Sequence, residues 1–259
     1  MASKGWVPNY HGAWAMIIVP PFVGTILSSF HLEHLLLLAV WWIGYFAFFS
    51  TGLWLRSRRK PRYRTPVIVY GALTALAGLP LAILVPELLI WVPVFLPLIV
   101  ITFFQSLRRK DRSLINNTVT VVAAGLLTPV AFHLATVLGT VPTGRFGWEA
   151  WEWMWLATAS ITAYFIGTAF YVKTNIRERG NEGFFWLAVA YHAVFAAAAT
   201  VLAVMGVVPI LHALVWWVVT FRTWAVATYS RKIDRRVSPK AIGMWEVVTT
   251  LAMTGSLLI

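Results

Sequence analysis

The chain has 259 residues, of which 59% are hydrophobic and only 12% are charged. A soluble domain carries about 25% charged residues, so the composition excludes an ordinary soluble fold. The absence of cysteine excludes disulfides, thiolate metal sites and thiol catalysis. A net charge of +12 would favour a nucleic-acid partner in a soluble protein. Here the basic residues lie in short loops between apolar segments, so we expect no nucleic-acid partner.

Nine apolar segments follow one another along the chain, each near the length of about 20 residues that crosses the hydrocarbon of a bilayer. They are His11–Phe30, Glu33–Leu55, Pro66–Val85, Leu88–Phe104, Asn116–Thr140, Trp148–Val172, Gly183–Met205, Val208–Tyr229 and Ala241–Ile259. Lipid offers backbone groups no partners, and nothing alternates as barrel strands do. The sequence therefore predicts an all-α polytopic membrane protein of about nine transmembrane helices, with residues 1–259 forming a single transmembrane helical domain.

Prolines inside these segments predict kinked or interrupted helices. They are Pro20, Pro21, Pro80, Pro93, Pro97 and Pro129. Such breaks accompany binding sites in many membrane proteins, but they also occur in purely structural bundles. The prolines therefore predict the shape of individual helices and leave function open.

Lysine and arginine predict the orientation, because loops rich in them stay in the cytoplasm. Four loops on one side carry Arg56, Arg58, Arg59, Lys60, Arg62 and Arg64, then Arg108, Arg109, Lys110 and Arg112, then Lys173, Arg177 and Arg179, and finally Arg231, Lys232, Arg235, Arg236 and Lys240. The opposite side holds Arg145 together with the acidic residues Glu33, Glu87, Glu149 and Glu152. We therefore expect a cytoplasmic N-terminus and a C-terminus outside.

Two charged residues lie well inside predicted helices, away from the helix ends, where ionisable groups are costly and indicate function by default. Arg222 lies about eight residues inside the eighth segment and Glu246 about six inside the ninth, which at ~1.5 Å per residue puts both roughly 9–12 Å deep. At that depth the two side chains could meet. They would then form either a structural ion pair between neighbouring helices or part of a binding site.

Other polar residues fall at a similar depth near the cytoplasmic side, and Tyr164 and Tyr171 in the sixth segment are among them. If their helix faces converge, they enclose a basic vestibule that suits a phosphate, a diphosphate or another anion. The candidate binding residues are His11, Arg56, Arg59, Lys60, Arg112, Asn116, Arg177, His192, Arg222 and Glu246. We expect such an anionic ligand and membrane lipids as partners, while the sequence predicts no particular protein partner.

Three histidines inside predicted helices could be considered as haem or metal ligands: His133, His192 and His212. They lie at different depths, and no two form an i, i+4 pair on one helix. We therefore expect hydrogen-bonded histidines within the bundle and no haem. Ser/His/Asp catalysis is disfavoured, because no buried Asp could orient a histidine.

The N-terminal run from Trp6 to Met16, WVPNYHGAWAM, resembles the opening signature of the YwiC-like family of bacterial membrane proteins. The segments Asp111–Asn116, DRSLIN, and Ile242–Glu246, IGMWE, are similar to that family as well. The resemblance extends over essentially the whole chain. It implies a multi-pass protein of the bacterial cytoplasmic (inner) membrane, and it implies no particular activity.

A more remote resemblance concerns topology. Nine helices with a cytoplasmic N-terminus is similar to the plan of UbiA-type intramembrane prenyltransferases, which hold Mg²⁺ and a prenyl diphosphate on two acidic motifs. The set Asn175, Glu178 and Glu182 resembles the second motif in spacing, so the resemblance implies Mg²⁺ as a cofactor there. The two carboxylates would share one face if the helix continues through them. The segment Thr51–Lys60, where the first motif would lie, contains no carboxylate.

Three functions remain open on this basis. The first is a UbiA-like intramembrane transferase that acts on an isoprenoid diphosphate. The second is a carrier or receptor for a small anion or an anionic lipid, which the basic vestibule favours. The third is a non-catalytic accessory subunit of a larger membrane complex. Whether the protein is an enzyme is therefore left open by the sequence.

Overall fold

The computed structural model describes residues 5–8, 12–232 and 238–259. Within these ranges the chain is helical, apart from loops and one isolated bridge between Arg145 and Trp148. It divides into two compact units, Met1–Pro142 and Thr143–Ile259. We describe these as the first and the second unit, each by itself, and the single domain stays a prediction.

The helices of the first unit are α1 (Ala13–Ser28), α2 (Glu33–Arg56), α3 (Arg64–Leu84), α4 (Val92–Leu107), α5 (Leu114–Gly125) and α6 (Leu127–Val137). Short 3-10 turns precede α3 and α4, at Pro61–Tyr63 and Pro86–Trp91. The helices of the second unit are α7 (Ala150–Ile176), α8 (Glu182–Val204), α9 (Ile210–Lys232) and α10 (Pro239–Leu258).

The predicted fold class is confirmed. Among the described residues, eight helical stretches are long and apolar enough to cross a membrane, and α1 is a shorter apolar helix. Together they correspond to the nine predicted segments, with α5 and α6 sharing the fifth. The protein is therefore an all-α, multi-pass membrane protein. His11, expected to open the first segment, lies outside the described residues.

The predicted interruption is found near Pro129. Helix α5 ends at Gly125 and α6 begins at Leu127, so the fifth segment is two helices rather than one. Pro129 has no N–H, and its ring excludes the carbonyl of the residue four positions earlier, which is Gly125. Pro20, Pro21, Pro80 and Pro97, in contrast, lie inside continuous helices.

The first unit is held together largely by apolar packing. Its core cluster is made entirely of aliphatic side chains: Leu37, Leu81, Val85, Leu88, Leu127, Val130, Ala131 and Leu134. Helix α1 approaches α6 at Gly24, where an added Cβ would lie 2.1 Å from the carbonyl oxygen of Thr128. The Thr128 hydroxyl also donates to the carbonyl of Pro20 at 3.1 Å. Only glycine allows this backbone approach.

Candidate functional site

The interior of the second unit contains the buried charge pair that the sequence indicates. Arg222 on α9 and Glu246 on α10 lie with Nη1 2.8 Å from Oε1, and their side chains are 8% and 15% exposed. The expectation that these residues meet is confirmed. The contact joins two helices and places an ion pair away from the helix ends.

Hydroxyl groups surround the carboxylate of Glu246. Thr168 donates to Oε2 at 2.8 Å, and the Tyr164 hydroxyl lies 3.2 Å from the same oxygen. Tyr164 also lies 2.8 Å from Oγ1 of Thr249, which accepts a bond from Arg222 Nη1 at 2.9 Å. Helices α7, α9 and α10 are thus joined by one polar network.

Arg222 presents one edge of its guanidinium without a partner in the protein. Nε and Nη2 are buried and make no hydrogen bond with any described residue, while Nη1 forms the ion pair with Glu246 and donates a hydrogen bond to Thr249. Nε–H and Nη2–H lie parallel along one edge of the planar group, the geometry that holds two oxygens of a carboxylate or phosphate. The ring of Tyr171 lies 4.0 Å from the guanidinium carbon and fixes the plane of the group.

Two buried polar atoms of side chains near Arg222 also lack hydrogen-bond partners among the described residues. They are the Tyr171 hydroxyl and Nε2 of His192 on α8. Nδ1 of His192 donates to the carbonyl of Ala188 at 2.7 Å, which leaves Nε2 as an acceptor. The imidazole packs on Gly167, where an added Cβ would lie 2.7 Å from Nε2. It is close enough to Arg222 that the guanidinium would repel a positive charge on the imidazole.

We refer to this group of side chains as the Arg222–Glu246 cluster. Its members are Tyr164, Thr168, Tyr171, His192, Arg222, Glu246, Thr249 and Thr250. All four helices of the second unit contribute to it. The cluster can offer a bound molecule two parallel cationic donors from Arg222, a hydroxyl from Tyr171 and an acceptor from His192.

Helix α7 extends the polar surface of the cluster to its own end. Tyr164, Thr168, Tyr171 and Asn175 follow at intervals of three and four residues, so they share one helix face. Oγ1 of Thr174 and Oδ1 of Asn175 are buried and without partners among the described residues. Thr174 and Asn175 also line a shallow recess. The recess lies at the end of the unit that is predicted to face the cytoplasm.

The two carboxylates of the proposed acidic motif do not share a helix face. Helix α7 ends at Ile176 and α8 begins at Glu182, and Gly180 between them has a φ of +90° that no helix continues through. The condition under which Glu178 and Glu182 would line up is therefore not met.

The members of that motif have protein partners. Asn175 donates through Nδ2 to the carbonyl of Tyr171 at 2.9 Å. Glu178 accepts a bond from the Asn181 amide at 3.0 Å, and Glu182 forms an ion pair with Arg231. Among the described residues, no three His, Asp or Glu side chains are grouped as a metal site requires. Binding of Mg²⁺ here stays a prediction.

Two candidate residues of the first unit meet at Asp111. Arg56 lies with Nη1 3.5 Å from Oδ2 of Asp111, and Ser106 donates to Oδ1 at 2.7 Å. Asn116 is buried and donates through Nδ2 to the carbonyl of Asp111 at 2.8 Å. These contacts fasten the loop between α4 and α5 to the end of α2.

The remaining basic candidates do not gather around one point of their units. Arg59, Lys60 and Arg112 are exposed in loops of the first unit, with Arg59 5.8 Å from the ring centre of Trp54. Arg177 follows α7 in the second unit, and its N–H donates to the carbonyl of Lys173 at 2.9 Å. Convergence of all candidates on one vestibule stays a prediction.

The other two histidines considered as ligands are hydrogen-bonded, as expected. Nδ1 of His212 lies 2.8 Å from Oγ of Ser256, and Nε2 lies 2.9 Å from Oγ of Ser160. His133 accepts a bond from the indole N–H of Trp91 at 3.1 Å. His212 therefore joins three helices of the second unit, and His133 joins α6 to the turn before α4.

Sequence reasoning missed three members of the cluster: Thr168, Thr249 and Thr250. Threonine is common in apolar helices, so its presence alone signals little. A stronger signal was available, because Thr168 lies four residues after Tyr164 and Thr249 three residues after Glu246. At that spacing each shares a helix face with a residue already indicated.

Comparisons with known proteins match the chain to a protein family. Residues 7–132 match the model of the family described as YwiC-like protein. The chain is 30% identical over 190 residues to "Uncharacterized protein YwiC" of Bacillus subtilis (strain 168), which covers 73% of this chain and 74% of the relative. It is 27% identical over 186 residues to "Uncharacterized protein" of Haemophilus influenzae, covering 72% and 74%. No solved structure matches it.

Proposed function

We propose, from the premise that this chain belongs to the YwiC-like family, that it binds a small oxoanion at Arg222 and acts as a carrier or receptor for that anion. The membrane would be the cytoplasmic (inner) membrane of a bacterium, with the basic loops inside. The observation that carries the proposal is the buried Nε–Nη2 edge of Arg222, which bonds no described residue.

The energetics of burial support a ligand at this edge. A buried donor without a partner costs about 1–3 kcal/mol, and more when it is charged. An oxoanion would satisfy both N–H groups at once through two parallel charge-assisted bonds. The Tyr171 hydroxyl, also buried and unpartnered, could supply a further donor. Lysine could not replace Arg222 in this role, because an ammonium lacks the planar two-donor edge.

The packing around the cluster favours a small ligand. Tyr164 and Tyr171 are 1% and 0% exposed, and Trp216 on α9 is 1% exposed. Large side chains therefore pack the interior of the second unit, and the ring of Tyr171 lies against Arg222 itself. A carboxylate, sulfonate or phosphate group with a short substituent suits this space better than an extended chain.

A binding experiment on the purified full chain tests the proposal. Thermal unfolding in detergent is followed in the presence of acetate, methanesulfonate or inorganic phosphate, all at one ionic strength. Acetamide, an uncharged molecule of the same shape as acetate, is the control. A ligand that binds only the folded state stabilises it by ~2.7 kcal/mol at a hundredfold excess over Kd. We expect stabilisation by at least one anion and none by acetamide.

Matched variants locate the binding. Arg222→Lys keeps the charge but loses the two-donor edge, so we expect it to abolish the stabilisation by the anion. Arg231→Lys is the same change on the same helix, at an ion pair with the exposed residue Glu182, and should retain it. The proposal fails if no anion stabilises the folded protein or if Arg222→Lys responds as the wild type does. Uptake of the bound anion into proteoliposomes then separates a carrier from a receptor.

The second candidate is the UbiA-like transferase acting on an isoprenoid diphosphate. It is favoured by one observation: Asn175 and Glu178 line the same recess, and Oδ1 of Asn175 is buried without a described partner. Such oxygens suit Mg²⁺, although Glu182 would have to leave Arg231 to join them. Stabilisation by a prenyl diphosphate that needs Mg²⁺ and is lost in Glu178→Gln, but kept in Glu87→Gln, would support it. Stabilisation by a prenyl diphosphate that does not depend on Mg²⁺ would exclude the transferase.

A further inference from the structure

Charge balance in the Arg222–Glu246 cluster constrains how an anion can enter it. Arg222 and Glu246, each ionised and paired, carry no net charge together. An anion on the free edge of Arg222 would leave two negative charges against one positive charge. A buried excess charge is strongly unfavourable in hydrocarbon. We propose that the anion binds together with one proton, which the carboxylate of Glu246 accepts; this inference rests on the proposed function.

The surroundings of Glu246 allow its neutral form. Oε2 accepts a bond from Thr168 at 2.8 Å, and a protonated carboxyl keeps an oxygen that can accept it. When Glu246 is neutral, Nη1 of Arg222 still has Oγ1 of Thr249 as a partner at 2.9 Å. The ring of Tyr171 continues to fix the guanidinium plane. Arg222 therefore stays oriented while its positive charge becomes available to the anion.

The titratable groups that face Glu246 come from three helices. Tyr164 and Tyr171 lie on α7 and Arg222 on α9, and all three interact with it or with one another. His192 on α8 lies near Arg222 and is the other possible proton acceptor. Its Nε2 packs against Gly167 and has no acceptor among the described residues for a new N–H. The geometry therefore assigns the proton to Glu246.

Polar side chains follow one another along α7 between the recess and the cluster. The recess is lined by Thr174 and Asn175, and Tyr171 lies one helical turn further in. Each of these three residues has a buried oxygen without a described partner. They offer successive hydrogen-bonding positions between the recess and the cluster, which is what a proton or a hydrated anion requires in apolar surroundings.

Isothermal titration calorimetry of the full chain in detergent tests the coupling. Methanesulfonate serves as the probe, because the anion of a strong acid takes up no proton itself near neutral pH. Titrations in Tris, Bis-Tris and imidazole, whose ionisation enthalpies differ, give the number of protons taken up from the slope of observed enthalpy against buffer enthalpy. We expect one proton in the wild type, and an affinity that falls ~tenfold per pH unit at higher pH.

Two variants identify the acceptor. Glu246→Gln should bind methanesulfonate with no proton uptake and no pH dependence, while His192→Gln should keep the uptake of one proton.

Binding by the wild type without proton uptake would overturn the coupling and leave the proposed function standing. Loss of uptake in His192→Gln, with uptake retained in Glu246→Gln, would overturn the assignment to Glu246. If no probe binds the folded wild type, the proposed function and this inference fail together. The slope of observed enthalpy against buffer enthalpy for the wild type shows whether a proton is taken up, even if a variant does not fold.

Discussion

Each of the two compact units contains an arginine–carboxylate pair, and the two pairs differ in their surroundings. Arg56 and Asp111 lie 3.5 Å apart at the end of α2, with side chains that are 34% and 15% exposed. Arg222 and Glu246 lie 2.8 Å apart with exposures of 8% and 15%. The first pair fastens a loop near solvent, whereas the second joins two helices inside an apolar unit.

The interiors of the units differ in the same way. The core cluster described above for the first unit is aliphatic, and the packing of α1 on α6 depends on Gly24. The interior of the second unit has a polar network that joins α7, α9 and α10. The residues matched by the family model, 7–132, fall within the first unit. The stretch matched by the family model and the candidate site thus lie in different parts of this chain, while the match to YwiC of Bacillus subtilis, over 190 residues, extends beyond the first unit.

The largest expected effect is a difference in the free energy of unfolding between variants of the two ion pairs. Arg222→Ala leaves Glu246 as a buried charge without its cation, so we expect a loss of ~3–5 kcal/mol in the free energy of unfolding. Arg56→Ala removes a partly exposed partner and should cost about 1 kcal/mol or less. Denaturant unfolding of both variants in detergent measures the difference. Equal losses would remove the distinction between the pairs.

An intermediate effect tests the backbone contact of the first unit. Gly24→Ala puts a Cβ 2.1 Å from the carbonyl oxygen of Thr128, and overpacking of this kind costs ~1–3 kcal/mol. Gly71→Ala on α3 is the control, because no atom lies within 4 Å of the added Cβ. Alanine favours the helix there by up to ~1 kcal/mol. If the unfolding midpoints of the two variants coincide, close packing of α1 on α6 is not what holds the first unit.

The smallest expected effect compares two buried threonines. Thr168→Val removes a donor to the Glu246 carboxylate, and a hydrogen bond to a charged group is worth ~1.5 kcal/mol or somewhat more. Thr102→Val in the first unit removes only a bond to the carbonyl of Leu98 in the same helix, so its effect should be near zero. A double-mutant cycle of Thr168→Val with Glu246→Gln should show coupling. Additive losses would place Thr168 outside the network.

Much of the fold could be predicted from the sequence, because hydrophobic length and loop charge are local properties. The nine segments correspond to the observed helices, with shifts of a few residues at their ends. The two-helix nature of the fifth segment follows from Pro129, whose effect is local as well. The loop between α7 and α8 was harder to predict, because its charged residues suit either a helix end or a continuing helix. The positive φ of Gly180 ends the helix there.

The site was only partly predictable. The depth of Arg222 and Glu246 along their helices follows from residue counts, and the cost of an unpaired charge favours their contact. The rotation of a helix about its axis depends on packing against neighbours, which no single segment encodes. That is why the contact of Arg222 with Tyr171 and the serine partners of His212 could not be predicted.

Gly167 and His192 show a dependence that related sequences should record. The imidazole occupies the space in which any side chain at position 167 would begin, 2.7 Å from its Nε2. Glycine at one position is therefore the condition for histidine at the other. In an alignment of relatives the two positions should change together, with larger residues at position 167 accompanied by smaller ones at position 192. Such covariation would show that the two positions evolve as a pair.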